Sequence, residues 1–226
     1  MRLGRRQRAA GVGQRDPRNE GAQCNICPLK GRTPVFGFGP KTFEVAVVGE
    51  APGRNEEMEG RPFIGASGEI LDELLAEAGE PRSKVWTDNS QLCMPPGGNL
   101  EDWERVQRKR CKSEGREFVS PTDCCRPRLF RALGIEQCIE CSCWRVGPDR
   151  CACARPNFVF HGERRPPKVV IAFGNAALQS LTGHVGIQAW RGSPINLTNP
   201  QPPVPREYVE AEERWWKTRE REESSK

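Results

Sequence analysis

Three short loops and eleven cysteines hold most of the side chains in this chain that are suited to chemistry. The first loop, Gly49-Glu50-Ala51-Pro52-Gly53-Arg54-Asn55-Glu56, follows the apolar run Val45-Ala46-Val47-Val48. Such a run, ended by glycine, has the form of a buried strand. In open α/β sheets, ligands bind beyond the carboxyl ends of the strands. Small residues there let backbone approach a ligand, and Glu50 and Glu56 bring two carboxylates to the same place. The plainer reading is a Gly/Pro turn with solvated glutamates. The second loop, Gly60-Arg61-Pro62-Phe63-Ile64-Gly65-Ala66-Ser67-Gly68, holds Phe63 between a proline and two glycines. An aromatic so placed either stacks on a planar ligand or fills the core beneath the loop. The third runs from Thr87 to Pro96 and offers Asn89, a donor and an acceptor in one side chain. It suits reading the edge of a base, or capping a turn.

The cysteines need a compartment before they need a role. Many cysteines mean disulfides outside the cell or metal binding inside it. The N-terminus carries five Arg in its first fifteen residues and no apolar stretch, so it does not read as a secretory signal. No run approaches the roughly 18 apolar residues of a membrane span. The expectation is a cytoplasmic protein without a membrane partner, its cysteines serving as thiolate ligands or free thiols. Cys138-x-x-Cys141-x-Cys143 and Cys151-x-Cys153 form one group in a Pro- and Gly-rich stretch. Their compact pairing suggests a zinc site built from Cys138, Cys141, Cys151 and Cys153, with unligated thiols as the alternative. A net charge of +5 suits a polyanionic partner as well as a plain basic protein.

The elements that must position these loops follow from pattern. Ser67 is a candidate N-cap for a helix reaching Ala78, with Ile70, Leu71, Leu74 and Leu75 as its apolar stripe. Gly79 then closes the helix as a C′ glycine, with Pro81 beyond. Lys84 to Asp88 reads as a second strand. Asn99 caps a helix carrying Leu100, Trp103 and Val106 on one side, followed by the cations Arg105, Arg108, Lys109, Arg110 and Lys112. That basic face is a solvated surface or, as the second choice, a DNA contact. Lys168 to Phe173 reads as a third buried strand, and Gly174-Asn175 opens a helix with Ala176, Ala177, Leu178 and Leu181. Strand and helix alternating in this way predict a three-layer α/β/α fold with a short parallel sheet. Residues 1–20 read as a disordered basic arm, 21–200 as the domain with insertions at 99–120 and 136–166, and 201–226 as a charged tail.

Taken together, G-E-A-P-G-x-x-E, G-R-P-F-I-G-x-S-G and N-x-x-x-C-x-P-P, in this order and spacing, closely resemble family 4 uracil-DNA glycosylases. Cys24-x-x-Cys27-Pro-Leu, Cys125-Arg126-Pro127-Arg128-Leu129, the segment from Pro167 and Arg191-Gly192 agree with further landmarks of that family. The resemblance implies hydrolysis of the bond joining uracil to deoxyribose in DNA, the first step of base-excision repair, by a monomer acting on uracil-containing DNA in a prokaryotic or phage-type nucleoid. It implies that Phe63 stacks on the flipped uracil, that Asn89 reads the pyrimidine edge, and that Glu56 crowds the 5-methyl of thymine. Glu50 holds the site together, and the backbone near Ala51 and Gly53 contacts the base. Ala51 stands where other uracil-DNA glycosylases carry a water-activating aspartate, as it does in family 4. The resemblance further implies a four-iron–four-sulfur cluster on Cys24, Cys27, Cys93 and Cys125. Cys124 is an adjacent substitute, and Cys111 has better spacing in a poorer context.

The chain departs from the family at one place. A His-Pro-Ser-type segment, whose histidine donates to the uracil oxygen, follows the Arg-Gly landmark in the family, whereas both histidines here, His161 and His184, precede it. A truncated product, a diverged site and an inactive one all fit that departure. Two further readings therefore stand beside the enzyme: a catalytically degenerate DNA-binding relative, and a cysteine-rich metal-binding interaction protein.

Overall fold

A computed structural model describes residues 15–137, 144–146 and 166–190. In chain order its elements are β1 (Val45–Gly49), α1 (Arg54–Glu59), α2 (Ala66–Glu77), β2 (Val85–Asn89), α3 (Leu100–Ser113), α4 (Pro121–Ala132), β3 (Ile135–Gln137), β4 (Trp144–Val146), β5 (Val169–Ala172), α5 (Asn175–Thr182) and α6 (Ile187–Trp190). The basic arm expected over residues 1–20 gives way to regular structure before its end. Asp16 accepts from the Arg18 N–H and caps a 3-10 turn over Pro17–Glu20.

The central sheet is parallel throughout, in the order β2-β1-β5. Alternation of side chains along β1 splits the core between its two faces. Ala46 and Val48, with Trp86 of β2, pack against Leu129, Phe130 and Leu133 from α4 and its end and against Ala177 and Leu181 of α5. Val47, with Val85, packs on the other face against Leu71 and Leu75 of α2 and against Phe63. Helices therefore cover both faces, and the architecture is the expected three-layer α/β/α. Two isolated antiparallel bridges add to this, Pro34 to Cys93 and Phe38 to Thr87 of β2. Among the described residues, no helix is long and apolar enough to cross a membrane.

Several local expectations need correcting. The N-cap of α2 is Gly65, whose backbone is extended, and Ser67 lies inside the first turn. Only half of the α2 stripe is used: Leu71 and Leu75 are buried, while Ile70 and Leu74 stay 55% and 47% exposed. A three-stranded sheet is narrow and covers one ridge of the helix. For the same reason β5, an outer strand, leaves Val169 and Ile171 partly exposed where a fully buried strand was expected. On α3, Asn99 caps as expected, its Oδ1 accepting from the Asp102 N–H at 2.9 Å. Val106 faces solvent, and the helix's three arginines pair along it with Asp102, Glu104 and Glu114. The antiparallel pair β3–β4 stands apart from the main sheet. The cysteine group Cys138, Cys141, Cys143, Cys151 and Cys153 lies outside the described residues.

One buried ion pair fixes α4 to β2. Arg128 and Asp88 are each 1% exposed and bonded Nη1 to Oδ2. Arg128 Nη2 also donates to the Asn89 carbonyl at 2.9 Å, and the Asn89 N–H donates to Asp88 Oδ1 at 2.7 Å. Burial pushes the Asp88 carboxyl up, and the guanidinium pulls it back. Removing one member of such a pair strands the other charge, which costs about 3–5 kcal/mol. Arg128→Leu is expected to lose stability of that order in a urea melt. A wild-type midpoint would show that the pair does not hold the fold.

Candidate functional site

The carboxyl ends of β1 and β2 meet at Gly49 and Asn89, which are paired in register. A methyl group on Gly49 would lie 2.5 Å from Asn89 Oδ1 and 2.9 Å from the Phe63 ring. The bare glycine is what lets these two side chains converge. Asn89 is 3% exposed, yet its Nδ2 has no hydrogen-bond partner. Buried polar groups nearly always find a partner, so an orphaned amide donor at the end of two strands marks a place made for an acceptor.

Phe63 forms one wall. It is buried, packs with Val47, Leu71, Leu75 and Val85, and meets Phe173 edge to face with ring centroids 6.1 Å apart. It is therefore a core residue whose ring also borders Asn89. Among the described residues it is the only non-glycine with positive φ, at 56°. A bulky residue held there signals a constraint, and Glu56 supplies it. The Glu56 carboxylate is buried, Oε1 accepting from the Phe63 N–H and Oε2 from the Gly53 N–H at 2.9 Å. The same carboxylate ties the loop before α1 to the loop before α2. Gly53 has its own carbonyl taken by the Glu57 N–H, so its backbone is already satisfied. Gly68 completes the arrangement, because a Cβ there would sit 2.2 Å from the Phe63 carbonyl oxygen.

Glu50 belongs to a different contact. Its carboxylate lies near the Leu100 N–H at the start of α3. Burial raises its pKa, the Leu100 N–H opposes that, and the carboxylates of Glu101 and Glu104 add to it. Ala51 is half-buried between these two loops. His184 follows the C-terminal end of α5, a helix that leads away from the strand ends.

The second feature is a cavity of about 270 Å³ bordered by five thiols, those of Cys24, Cys27, Cys93, Cys124 and Cys125. Cys111 stands on α3, away from it. Burial pushes the Cys93 thiol up to about 12, with Cys125, Cys27 and Cys24 reinforcing the shift, and pushes Cys125 up to about 11. Cys27 and Cys124 lie side by side, and their interaction holds the Cys27 thiol down at about 7 and drives Cys124 upward. Sulfurs crowded this way resist ionising together unless a cation balances them. No three His, Cys, Asp or Glu among the described residues converge on a single ion. The thiols instead surround a space far larger than one ion, the arrangement that suits a polynuclear centre. The structure thus gathers Cys24, Cys27, Cys93 and Cys125, and it gathers Cys124 with them.

Asp88, Arg128, Gly49 and Phe173 lie inside segments that the motifs single out, but the motifs do not give their parts here: the ion pair, the room beside Asn89 and the ring against Phe63. A charge in a buried strand and an arginine set among Leu129, Phe130 and Leu133 were the available signals for the first two.

The family model of the uracil DNA glycosylase superfamily matches residues 36–217. Among curated relatives, a Type-4 uracil-DNA glycosylase of Archaeoglobus fulgidus is 38% identical over 113 residues, covering 49% of this chain and 54% of the relative. One of Sulfurisphaera tokodaii is 43% identical over 120 residues, covering 52% of each. One of Thermotoga maritima is 35% identical over 114 residues, covering 50% of this chain and 57% of the relative. The aligned stretch spans about half the length of these relatives. With a match running through the sheet, the Asn89 pocket and beyond, the chain belongs to the uracil DNA glycosylase superfamily.

Proposed function

We propose that this protein excises uracil from DNA, and the observation that carries the reading is the orphaned Nδ2 of Asn89 beside Phe63. A base must leave the duplex stack before an enzyme can act on it, at a cost of a few kcal/mol. Stacking on Phe63 returns about 1–3 kcal/mol. Uracil offers a carbonyl acceptor next to an N–H donor. Asn89 Nδ2 meets the first and its Oδ1 the second. Cytosine has an amino group and a bare ring nitrogen at the same edge, so the same amide opposes it on both counts. A site built on such a pair rejects the wrong partner strongly, because its own buried groups are left unpaired. Glu56 sets the position of Phe63 and, on this reading, limits the room for the methyl of thymine.

The bond to the sugar breaks with negative charge on the departing base. Donors already in place lower that barrier, and the Asn89 amide is one. Gly49 keeps it at the right depth, and Arg128 holds the backbone that carries it. Ala51 and Gly53 give the base a close, small-residue wall. Cys24, Cys27, Cys93 and Cys125 hold a four-iron–four-sulfur cluster. When bound, it supplies a structural crosslink between the N-terminal loop, the end of β2 and α4. The enzyme acts as a monomer in the cytoplasm on uracil-containing DNA. A second reading, a relative that binds such DNA without cutting it, rests on the absence of a histidine between Gly192 and Lys226. Zinc on Cys138, Cys141, Cys151 and Cys153 remains a separate proposal.

Three outcomes test this function. Protein purified without oxygen and given a single-stranded oligonucleotide with one uracil is expected to leave an alkali-labile site. Asn89→Ala is expected to slow that reaction about 100- to 1,000-fold, and excision at the wild-type rate would remove the pocket from consideration. Uracil-selective binding with no cleavage would establish the second reading instead.

For the cluster, Cys93→Ser is expected to lose the broad visible absorption and bound iron, whereas Cys111→Ser keeps both. Loss of both in Cys111→Ser, with both kept in Cys125→Ser, would move the fourth ligand from Cys125 to Cys111.

Glu50 yields a pH prediction. Its pKa is raised in the fold, so ionising it costs the folded state. That cost is fully present above the folded pKa and absent below the unfolded one, about 4.3 for glutamate. Glu50→Gln keeps an acceptor for Leu100 without the charge. It is expected to be more stable than wild type at pH 7, the difference shrinking as pH falls toward 4. A pH-independent difference would place the effect elsewhere.

A further inference from the structure

Arg32 lies between the thiol cavity and the loops of the base pocket. It borders the cavity, and the Cys93 thiol donates to its carbonyl at 3.9 Å. Its Nε is buried and has no partner. Its Nη2 reaches Glu57 Oε1 at 3.7 Å. Glu57 sits on α1 next to Glu56, whose carboxylate holds the Gly53 and Phe63 amides. Gly31 and Thr33, on either side of Arg32, line a shallow groove together with Glu57 and Met58, so the loop lies directly on α1.

Other arginines at the edges of the fold close their charge locally. Arg105, Arg108, Arg110 and Arg116 all pair with carboxylates on or near α3. Arg32 spends only one end on a carboxylate, and its buried Nε stays without a partner on a residue that borders the thiols. Leaving a buried guanidinium donor unpaired is costly, so the cavity's occupant must supply an acceptor.

We propose that Arg32 is a positioning residue that joins the cluster to the base pocket, its Nε donating to sulfur on the cluster side while its Nη2 steadies Glu57 on α1. This rests on the cluster reading above. Cluster occupancy then sets how firmly α1 stands, and α1 sets Phe63 through Glu56. The guanidinium also places a positive charge beside an anionic centre. Charge and hydrogen bonds to the sulfurs set the potential of such clusters. Removing that charge disfavours the added electron.

The test compares full-length wild type, Arg32→Gln and Glu57→Gln, each loaded with iron and sulfide. Visible absorption reports the cluster, a redox titration its potential, and hydrogen exchange the Gly53 and Phe63 amides before and after chelation. In wild type, loading is expected to slow exchange at both amides. Arg32→Gln is expected to keep the cluster, move its potential to a more negative value, and lose the loading-dependent protection. Glu57→Gln is expected to lose the protection while keeping the wild-type potential, a separation that a general loosening of the fold does not produce. Unchanged potential and unchanged protection in a loaded Arg32→Gln would overturn the proposal and leave the cluster reading intact. If Arg32→Gln does not load, Glu57→Gln decides: full protection in it overturns the link. A wild type that takes up no iron sinks the cluster reading itself, and the proposal with it.

Discussion

The Asp88–Arg128 pair is the constraint on which the rest of the structure hangs. It joins the end of the buried outer strand β2 to α4, and it does so at the residue just before Asn89. A buried ion pair is a weak source of net stability, because desolvation offsets most of the attraction. What it does well is fix a geometry, since few arrangements satisfy both charges. Here the three bonds around Asp88, Asn89 and Arg128 lock the backbone of Asn89, so that its amide emerges at one angle beside Gly49. The same helix carries Cys124 and Cys125 to the thiol cavity. One anchored helix therefore serves both the pocket and the cavity.

The two sites share another property, unsatisfied buried polarity. Among the described residues, six buried side-chain atoms lack a partner, and three of them lie at these places: Asn89 Nδ2 at the strand ends, and Arg32 Nε and Gln91 Oε1 on the residues bordering the thiols. Each is a group that a folded chain leaves open only at a cost. Donors in place before the ligand arrives need no reorganisation when charge develops. The strained backbone of Phe63 belongs to the same logic, with the Glu56 carboxylate holding a conformation the residue would not choose alone.

Much of this was legible in the sequence. Local signals carried the strand ends at Gly49 and Asn89, the Asn99 cap, the glycine that closes α2 and the helix after Gly174, because each depends on residues within a turn of it. Periodicity named the apolar residues of α2 but not which of them find cover, since that depends on the width of a sheet assembled from segments more than 120 residues apart. Ser67 had the right chemistry for a cap, yet the loop's return at Gly65 started the helix earlier.

The sequence by itself determined which chemical groups were available: an amide at a strand end, an aromatic on a glycine-bounded loop, and thiols in excess of four. Only the tertiary structure decided how they were used. Spacing favoured Cys111 and context favoured Cys125, and the packing of α4 brings Cys124 and Cys125 to the cavity while α3 carries Cys111 elsewhere. Glu56, expected from the motif at a ligand, turns both oxygens onto backbone amides. Arg128 read only as part of the Cys125-to-Leu129 landmark, and folding made it the buried partner of Asp88. The physical reason is common to all three. A side chain's chemistry is local, but its partner, its burial and its charge state are set by residues distant in sequence that only the closed fold brings within bonding distance.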